Sequence, residues 1–383
     1  MSSKLNTEIR NISKLHILKF HVHRKLRGFL LRFPPRFFWK ITLFQVERRK
    51  ITSSLRIKQE SYPHRNESIL KFPQLTFALL FPHMVRRSGI LVESDIFFCY
   101  SETLRDIKLQ THAFSLTQLY ENDMLLKSNN VDILIIDGNC FYSSELELVR
   151  NQTQLQRLRG VRVIVDLPDC NFSQDGQAQI DFWNMHADLV IYHNPLMKIP
   201  GKSSKFLLWP GFPIPIAFYE LPWEMKKDKL LMQGSTHRQR EIFYHGARRA
   251  KLPIVSRQHN RNNISNIPEK YTEYIENIKS TKYIFTNGYL NFRESVIVGR
   301  AFETLASGSV LLYENGSGLS TFYNEYSDFL PINNVADLIE KFEFLSSNAG
   351  TAMAIGLNAK TRTRELYNSR IFWSTVLSML KFT

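Results

Sequence analysis

Two charged side chains three residues apart, Arg300 and Glu303, have the chemistry and spacing to contact a nucleotide. The pattern of apolar residues predicts a helix over Ser295–Ser307, and residues three apart on a helix share one face. A carboxylate there can accept from both hydroxyls of a ribose. Arg300, or Arg293 in the preceding loop, can neutralise the charge of a diphosphate. The alternative is an exposed ion pair within the helix, worth about 0.3–0.5 kcal/mol.

A small-residue turn, Gly234-Ser235, is the second candidate. It follows an apolar run over 229–233 and opens a predicted helix that carries Arg238 and Arg240. Such a turn lets backbone N–H groups approach a phosphate, which the helix dipole also favours. Either arginine could add a charge-assisted hydrogen bond. An ordinary strand-to-helix turn remains the alternative.

From residue 75 onwards, apolar runs of strand length alternate with helical patterns, which is typical of α/β domains with parallel sheets. In the first half the predicted strands are Leu75–Phe81, Asp95–Tyr100, Val131–Asp137, Val161–Asp166, Leu189–Tyr192 and Lys205–Trp209, with helices near 115–128, 144–158 and 175–186. A proline-rich segment interrupts the alternation, which then restarts. The predicted parts are an N-terminal arm (1–72), a first Rossmann-like domain (73–210), a linker (211–228), a second Rossmann-like domain (229–368) and a C-terminal helix (369–383).

Polar side chains near the ends of the first domain's strands are candidates for binding and activating an acceptor. They are His83, Asp137, Asp166, Asp169 and His193. One of them could act as a base that removes a hydroxyl proton. Polar caps are also routine at strand ends, so a structural role is the alternative for each. There is no Asp-x-Asp metal motif, and neither a metal nor a cofactor is expected.

The positive charge is concentrated at the N-terminus. The chain carries a formal net charge of +15, and residues 1–72 contain 17 Lys/Arg against 4 Asp/Glu. Residues 1–60 are partly amphipathic and basic, with Phe and Trp, which suits an anionic membrane surface. A helix packed on the body and a nucleic-acid-binding arm are the alternatives, and the nearly neutral body disfavours nucleic acid. Three scattered cysteines favour a reducing compartment, so we expect a cytoplasmic protein, free or at the membrane face.

Several motifs of the second half resemble one known family. They are LLMQGSTHRQR, GRAFETLASGSVLLYE, the turn-rich stretch Gly316–Phe329 and Asp337-Leu338-Ile339-Glu340. From about 229 to 372 the chain resembles group 1 glycosyltransferases, in particular the CgeB-like subgroup, named for a spore maturation protein. The matching positions of the signature are Arg300, Phe302, Glu303, Ala306 and Gly308. The resemblance implies a GT-B fold, in which two Rossmann-like domains with parallel sheets face a cleft and the second domain holds the donor.

The resemblance further implies transfer of a sugar, with retention of configuration, from a nucleoside-diphosphate donor to a glycan, lipid-linked or protein acceptor. It places Glu303 at the donor's ribose. The residues expected at the donor are Gly234, Ser235, Arg238, Arg240, Arg293, Glu303 and Gly308, and those expected in catalysis are His83, Asp166 and Arg300. The chain departs from the wider group at Ser295, where a glutamate is common, and has only Gly89 where a glycine-rich loop is common. A non-catalytic relative that binds glycans or acts as a scaffold is therefore the alternative.

Overall fold

The structure is a computed structural model of the 383-residue chain. It divides into residues 1–59 and 60–383. The described residues run from 74 to 382, with gaps at 82–85, 88–89, 92–94, 116–117, 120–121, 123, 139–145, 168–173, 197–198, 200–204, 236–237, 260–270 and 292–293. The predicted N-terminal arm lies outside them.

The first sheet has six parallel strands in the order β4-β1-β5-β6-β7-β8. They are β1 (Thr76–Phe81), β4 (Gln110–Ser115), β5 (Ile133–Asp137), β6 (Arg162–Leu167), β7 (Leu189–Tyr192) and β8 (Phe206–Leu208), and a small hairpin pairs β2 (Arg86–Arg87) with β3 (Ile90–Leu91). The helices of this half are α1 (Asp95–Asp106), α2 (Leu125–Ser128), α3 (Leu146–Leu158) and α4 (Gln174–His186).

The second sheet has five parallel strands in the order β10-β9-β11-β14-β15. They are β9 (Lys227–Ser235), β10 (Ile254–His259), β11 (Thr281–Thr286), β14 (Val310–Glu314) and β15 (Leu330–Ile332), and a hairpin pairs β12 (Tyr289–Asn291) with β13 (Glu294–Ser295). The helices are α5 (Arg238–Arg249), α6 (Tyr271–Lys279), α7 (Gly299–Ser307), α8 (Val335–Ser347), α9 (Ala349–Leu366) and α10 (Ser369–Met379). Single 3-10 turns at Ile216–Tyr219 and Trp223–Met225 lie in the linker.

The predicted fold class is confirmed, because both halves are α/β units built on parallel sheets. Every residue of β5 and β14 is buried, as expected for strands covered on both faces. This is why their sequences, ILIID and VLLYE, are nearly continuous apolar runs.

One predicted strand is wrong: Asp95–Tyr100 belongs to helix α1. A run of six residues is too short for a helix to be told from a buried strand. Over the whole of α1 the buried positions include Cys99, Tyr100, Thr103 and Leu104, which recur at helical spacing. The strand beside β1 is instead the edge strand β4, whose sequence QTHAFS is too polar to give an apolar run.

The helix predicted over Ser295–Ser307 begins later, at Gly299. Ser295 pairs in the β12–β13 hairpin. Val298 has extended dihedrals, φ −94° and ψ 147°. The Tyr313 hydroxyl donates to the Val296 carbonyl at 2.9 Å, which fixes the segment before the helix. Tertiary contacts therefore override the helical pattern of the first four residues.

Helix α10 packs against the first half of the chain. The Trp373 indole donates to the Thr103 hydroxyl of α1 at 3.2 Å. Its ring meets Phe77 of β1 edge-on, with centroids 5.2 Å apart. The last helix therefore ties the end of the chain to the first sheet. Among the helices described, none combines the length and the apolar character needed to cross a bilayer.

Candidate functional site

The candidate site lies where the strand order of the second sheet reverses. In the sheet, β9 lies between β10 and β11, the next two strands in the sequence. The helix that follows β9 (α5) and the helix that follows β11 (α7) must therefore cover opposite faces of the sheet. This arrangement leaves a crevice outside the carboxyl ends of β9 and β11. Ligands of open α/β sheets bind in such crevices.

Two arginine side chains converge on Gly234, near the end of β9. In each of Arg240 and Arg300, the Nη1 atom lies 2.8 Å from the point that a Cβ on residue 234 would occupy. Gly234 has φ +113°, a conformation that side-chain-bearing residues rarely adopt. Glycine is thus required both by the backbone and by the approach of two guanidinium groups. Two like charges held this close form a strong attraction site for an anion.

The first turn of α5 holds Arg240 over the sheet edge. The side chain is buried, and its Nε donates to Asn287 Oδ1 at 3.0 Å. The preceding residue, Gln239, donates from Nε2 to Glu314 Oε1 at 2.7 Å. The first turn of α5 is therefore anchored to the ends of β11 and β14.

Glu303 lies inside the protein, 3% exposed, and holds two phenol groups. Tyr219 of the linker donates to Oε1 at 2.9 Å, and Tyr274 of α6 donates to Oε2 at 2.5 Å. Burial and the neighbouring Glu303 carboxylate raise the pKa of Tyr219 well above its usual range. The Tyr219 hydroxyl therefore stays protonated, and stays a donor, at all physiological pH values.

The Tyr274 hydroxyl bridges the two charged residues of α7. It donates to Glu303, as described, and accepts from Arg300 Nε at 3.2 Å. The Arg300 guanidinium also lies 5.7 Å from the centre of the Tyr274 ring, within range of a cation–π interaction. The predicted intrahelical pair of Arg300 and Glu303 is thus linked through a tyrosine of a neighbouring helix.

The linker sets the position of α7. The Phe302 ring fills the place that a Cβ on Gly211 would take, and Phe212 packs against Gly299 at the start of the helix. Tyr219 adds the hydrogen bond to Glu303. Three linker residues therefore contact successive parts of one helix, so the linker helps to orient the site.

The other end of α7 is capped by Gly308 and Lys226. Gly308 has φ +72° and ends the helix in the left-handed conformation. Lys226 is buried and donates from Nζ to the Ser307 carbonyl at 2.8 Å and to Ser309 Oγ at 2.9 Å. Burial, with a smaller contribution from Lys360, lowers the pKa of Lys226 to about 7. The geometry accounts for Gly308 as a helix cap, and its contact with a donor stays a prediction.

Because the pKa of Lys226 is lowered by folding, we expect the free energy of unfolding to rise with pH. Its pKa is about 7 in the folded protein and about 10.4 in an unfolded chain. Between these values the unfolded chain holds one more proton, so the free energy of unfolding increases by up to about 1.4 kcal/mol per pH unit. Urea unfolding of the wild type and Lys226→Met at pH 7, 8 and 9 measures the difference in slope. Parallel curves for the two proteins would disprove this titration.

In the first sheet, Asp166 and His193 form a buried pair. His193 Nε2 lies 2.6 Å from Asp166 Oδ1, and the Tyr100 hydroxyl donates to Oδ2 at 3.2 Å. His193 Nδ1 lies 2.9 Å from the Trp209 carbonyl, which can only accept, so Nδ1 carries a proton. The pair connects the ends of β6 and β7 to Trp209, just before the linker. A catalytic role for Asp166 stays a prediction, and both of its carboxylate oxygens are hydrogen-bonded in this structure.

The structure brings together only part of the predicted site. Gly234, Arg240, Arg300 and Glu303 lie around the end of β9 and the start of α7. Asp137 and Asp166 occupy the carboxyl ends of β5 and β6, and His193 follows β7. Ser235 ends β9 and Arg238 begins α5, but their side chains lie outside the described part, as do His83, Asp169 and Arg293 altogether.

Sequence reasoning missed five residues of this neighbourhood. They are Tyr219, Gln233, Tyr274, Thr286 and Asn287. Gln233 and Thr286-Asn287 are the polar residues that close two apolar strand patterns, so their position at the sheet edge was readable from the sequence. The two tyrosines gave no such signal, because their contacts depend on the path of the linker and on the packing of α6.

The part of the chain that carries this site matches a known family. Residues 237–377 match the family described as "Glycosyl transferase-like". This segment includes α5, α6, α7 and most of the second sheet. No curated protein sequence matches the chain.

Solved structures share the fold of both halves. Anabaena HepE in complex with UDP-glucose has a TM-score of 0.54 at 9% identity, over 80% of this chain and 100% of that one. A glycosyltransferase from Rickettsia africae has a TM-score of 0.52 at 10% sequence identity, and the match covers 82% of this chain and 100% of that one. Sucrose-phosphate synthase from Thermosynechococcus elongatus has a TM-score of 0.51 at 10% sequence identity, and the match covers 81% of this chain and 98% of that one. At these identities the likeness shows the fold, which is GT-B.

Proposed function

We propose that this protein is a glycosyltransferase that uses a nucleoside-diphosphate sugar as donor. The observation that carries the proposal is the convergence of Arg240 and Arg300 on Gly234 at the reversal of strand order. Support also comes from the glycosyl transferase-like match of residues 237–377. HepE, which shares the fold, is described in complex with UDP-glucose. The CgeB-like motifs of the sequence point to the same class.

In the proposed reaction, an acceptor hydroxyl oxygen forms a bond to the anomeric carbon of the donor sugar. The bond between that carbon and the diphosphate oxygen breaks, and its electron pair leaves with the diphosphate. Arg240 and Arg300 stabilise the charge that grows on the departing group. The hydroxyl proton passes to a base on the acceptor side, for which we propose His83 or Asp166. No metal or cofactor is required in this proposal.

Glu303 is proposed to hold the donor's ribose, and Ser235, Arg238, Arg293 and Gly308 complete the proposed donor contacts. We also propose retention of configuration, on the resemblance of the sequence to group 1 enzymes. The acceptor is proposed to be a glycan, a lipid-linked saccharide or a protein. It would approach from the first sheet, whose strand ends carry Asp137 and Asp166.

The proposed location is the cytoplasm, at a membrane face reached through residues 1–60. Their basic and aromatic residues support this proposal. Co-sedimentation of the full chain with vesicles containing phosphatidylserine tests it. Equal sedimentation after deletion of residues 1–60 would end the membrane proposal.

Donor hydrolysis tests the enzymatic proposal. Incubation with UDP-, GDP- and dTDP-sugars is expected to release the nucleoside diphosphate from at least one donor, because water can take the place of the acceptor. Glu303→Gln keeps the size of the side chain and removes its charge, so we expect weaker donor binding. Binding without turnover would favour the second candidate, a non-catalytic relative, which the replacement at Ser295 suggests. If no donor is bound and none is hydrolysed, the enzymatic proposal is contradicted.

A further inference from the structure

Three polar side chains at the reversal of strand order each have one buried atom that makes no hydrogen bond to the described residues. Gln233 Oε1, Thr286 Oγ1 and Asn287 Nδ2 are buried and have no hydrogen-bond partner among the described residues. Their side chains are 3%, 0% and 1% exposed. An unmet buried polar atom costs about 1–3 kcal/mol. Three such atoms together at the edge where ligands bind indicate that a ligand supplies their partners.

The direction of the Gln233 and Thr286 side chains follows from the pairing of β9 with β11. Leu231 of β9 pairs with Ile284 of β11, and Gln233 and Thr286 each lie two residues further along their strands. Side chains two apart on a strand point to the same face. Leu231 and Ile284 pack in the cluster that contains α7, so Gln233 and Thr286 face α7 as well.

The neighbouring strand confirms this direction. Thr286 pairs with Tyr313 of β14. The Tyr313 hydroxyl reaches the Val296 carbonyl at 2.9 Å and accepts from the Val298 amide at 3.4 Å. Val298 is the N-cap of α7 and makes no side-chain capping bond. Gln233 and Thr286 therefore point towards the start of α7, beside the two arginines.

With the Gln233 amide oxygen facing this place, the donor and acceptor pattern of the three atoms favours a hydroxyl over an anion as their common partner. Asn287 Oδ1 accepts from Arg240, which fixes Nδ2 as a donor. Thr286 can donate or accept, and Gln233 presents an acceptor. A phosphate oxygen can only accept, so it would leave Gln233 Oε1 unmet. A hydroxyl group both donates and accepts and meets the whole set.

We propose that Gln233, Thr286 and Asn287 form a hydroxyl subsite that binds carbohydrate hydroxyls of the ligand next to the diphosphate. The inference rests on the proposed function, since it assumes that the arginines hold the diphosphate. The hydroxyls come either from the ribose or from the transferred sugar. Both sources offer hydroxyl groups that can donate and accept hydrogen bonds, and the binding measurements below distinguish the ribose from the transferred sugar.

The variant Thr286→Val removes the hydroxyl and keeps the shape. The probes for calorimetric titration are pyrophosphate, the tightest binder among UDP-glucose, GDP-mannose and dTDP-glucose, and the matching nucleoside diphosphate. We expect the variant to bind the nucleotide sugar about threefold to tenfold more weakly, the value of one hydrogen bond. An equal loss for the nucleoside diphosphate identifies the ribose, and an unchanged nucleoside diphosphate identifies the transferred sugar. Pyrophosphate binding stays unchanged in either case.

Thr281→Val is the matched control. Thr281 is a buried threonine at the other end of β11, and its hydroxyl donates to the Asn277 carbonyl at 2.8 Å. We expect Thr281→Val to lower the Tm of the ligand-free protein and to leave the affinity unchanged. Thr286→Val is expected to keep or raise the ligand-free Tm, because the Thr286 hydroxyl makes no hydrogen bond to any described residue.

Two results would overturn the hydroxyl subsite while the proposed function stands. One is wild-type affinity of Thr286→Val for all three probes, together with a lower Tm, which would mean that a structural water alone fills the place. The other is an equal loss for pyrophosphate, which would place the hydroxyl at the diphosphate. If the wild type itself binds no probe, the proposed function fails and the subsite falls with it.

Discussion

Replacing Gly234 by alanine is expected to weaken the binding of a nucleoside diphosphate by about 100-fold. The new methyl group would occupy the point that lies 2.8 Å from a guanidinium nitrogen of both Arg240 and Arg300. Both side chains would have to move. The loss of two charge-assisted hydrogen bonds of about 1.5 kcal/mol each corresponds to this factor. Titration of the wild type and variant with UDP, or with GDP if that binds better, measures it.

Gly160→Ala separates backbone strain from the loss of the site. Gly160 follows α3 and has φ +88°, and a Cβ there would meet nothing within 4 Å. Both variants force alanine to adopt a positive φ, which costs about 1–2 kcal/mol of stability. Only Gly234→Ala should lose affinity. Wild-type affinity in Gly234→Ala would show that the two arginines do not hold the ligand.

Replacing Tyr274 by phenylalanine is expected to tighten donor binding by about tenfold. The Tyr274 hydroxyl donates to Glu303 at 2.5 Å and accepts from Arg300 at 3.2 Å. A ribose hydroxyl bound by Glu303 would make the same two bonds, so the ligand must displace the phenol. In Tyr274→Phe the ligand no longer has to break the charge-assisted hydrogen bond between Tyr274 and Glu303, which is worth at least about 1.5 kcal/mol. Thermal shift and calorimetric titration with the same nucleotide sugar measure the change.

Tyr219→Phe is the matched control, because Tyr219 donates to the other oxygen of the same carboxylate. Tyr219 is fully buried in the linker, where no ligand hydroxyl can replace it. We expect Tyr219→Phe to lower stability by about 1–3 kcal/mol and not to tighten binding. If Tyr274→Phe weakens binding as strongly as Glu303→Gln does, the phenol is itself a ligand contact. Unchanged affinity in all three variants would remove Glu303 from the site.

The fold class could be predicted from the sequence because strands buried on both faces leave long apolar runs. Helix α1 shows the limit of that reasoning, since a run of five apolar residues, such as 96–100, can belong to a helix or to a strand. Its neighbour β4 lies at the sheet edge and therefore carries too few apolar residues to be recognised. Whether a segment lies in the middle of a sheet, at its edge or outside it explains both α1 and β4. A single sequence does not show that position.

The sequence predicted individual residues of the candidate site but not how their side chains are arranged in space. Gly234, Arg240 and Arg300 were each expected at a donor, for separate reasons. The sequence could not show that both guanidinium groups meet at one glycine, because this depends on the parallel register and on the first turn of α5. The bonds from Tyr219 and Tyr274 to Glu303 depend on the path of the linker, which has no periodic pattern, and on how α6 packs beside α7, which a helical pattern alone does not show.

The central claim is that the diphosphate of a nucleotide sugar binds at the reversal of strand order in the second sheet. A crystal structure of the protein with UDP, or with the nucleoside diphosphate that binds most tightly, tests it most directly. The account predicts phosphate oxygens within hydrogen-bond distance, about 3 Å, of the guanidinium groups of Arg240 and Arg300 beside Gly234. A nucleotide bound elsewhere, with both arginines left as they are in the ligand-free protein, would contradict it.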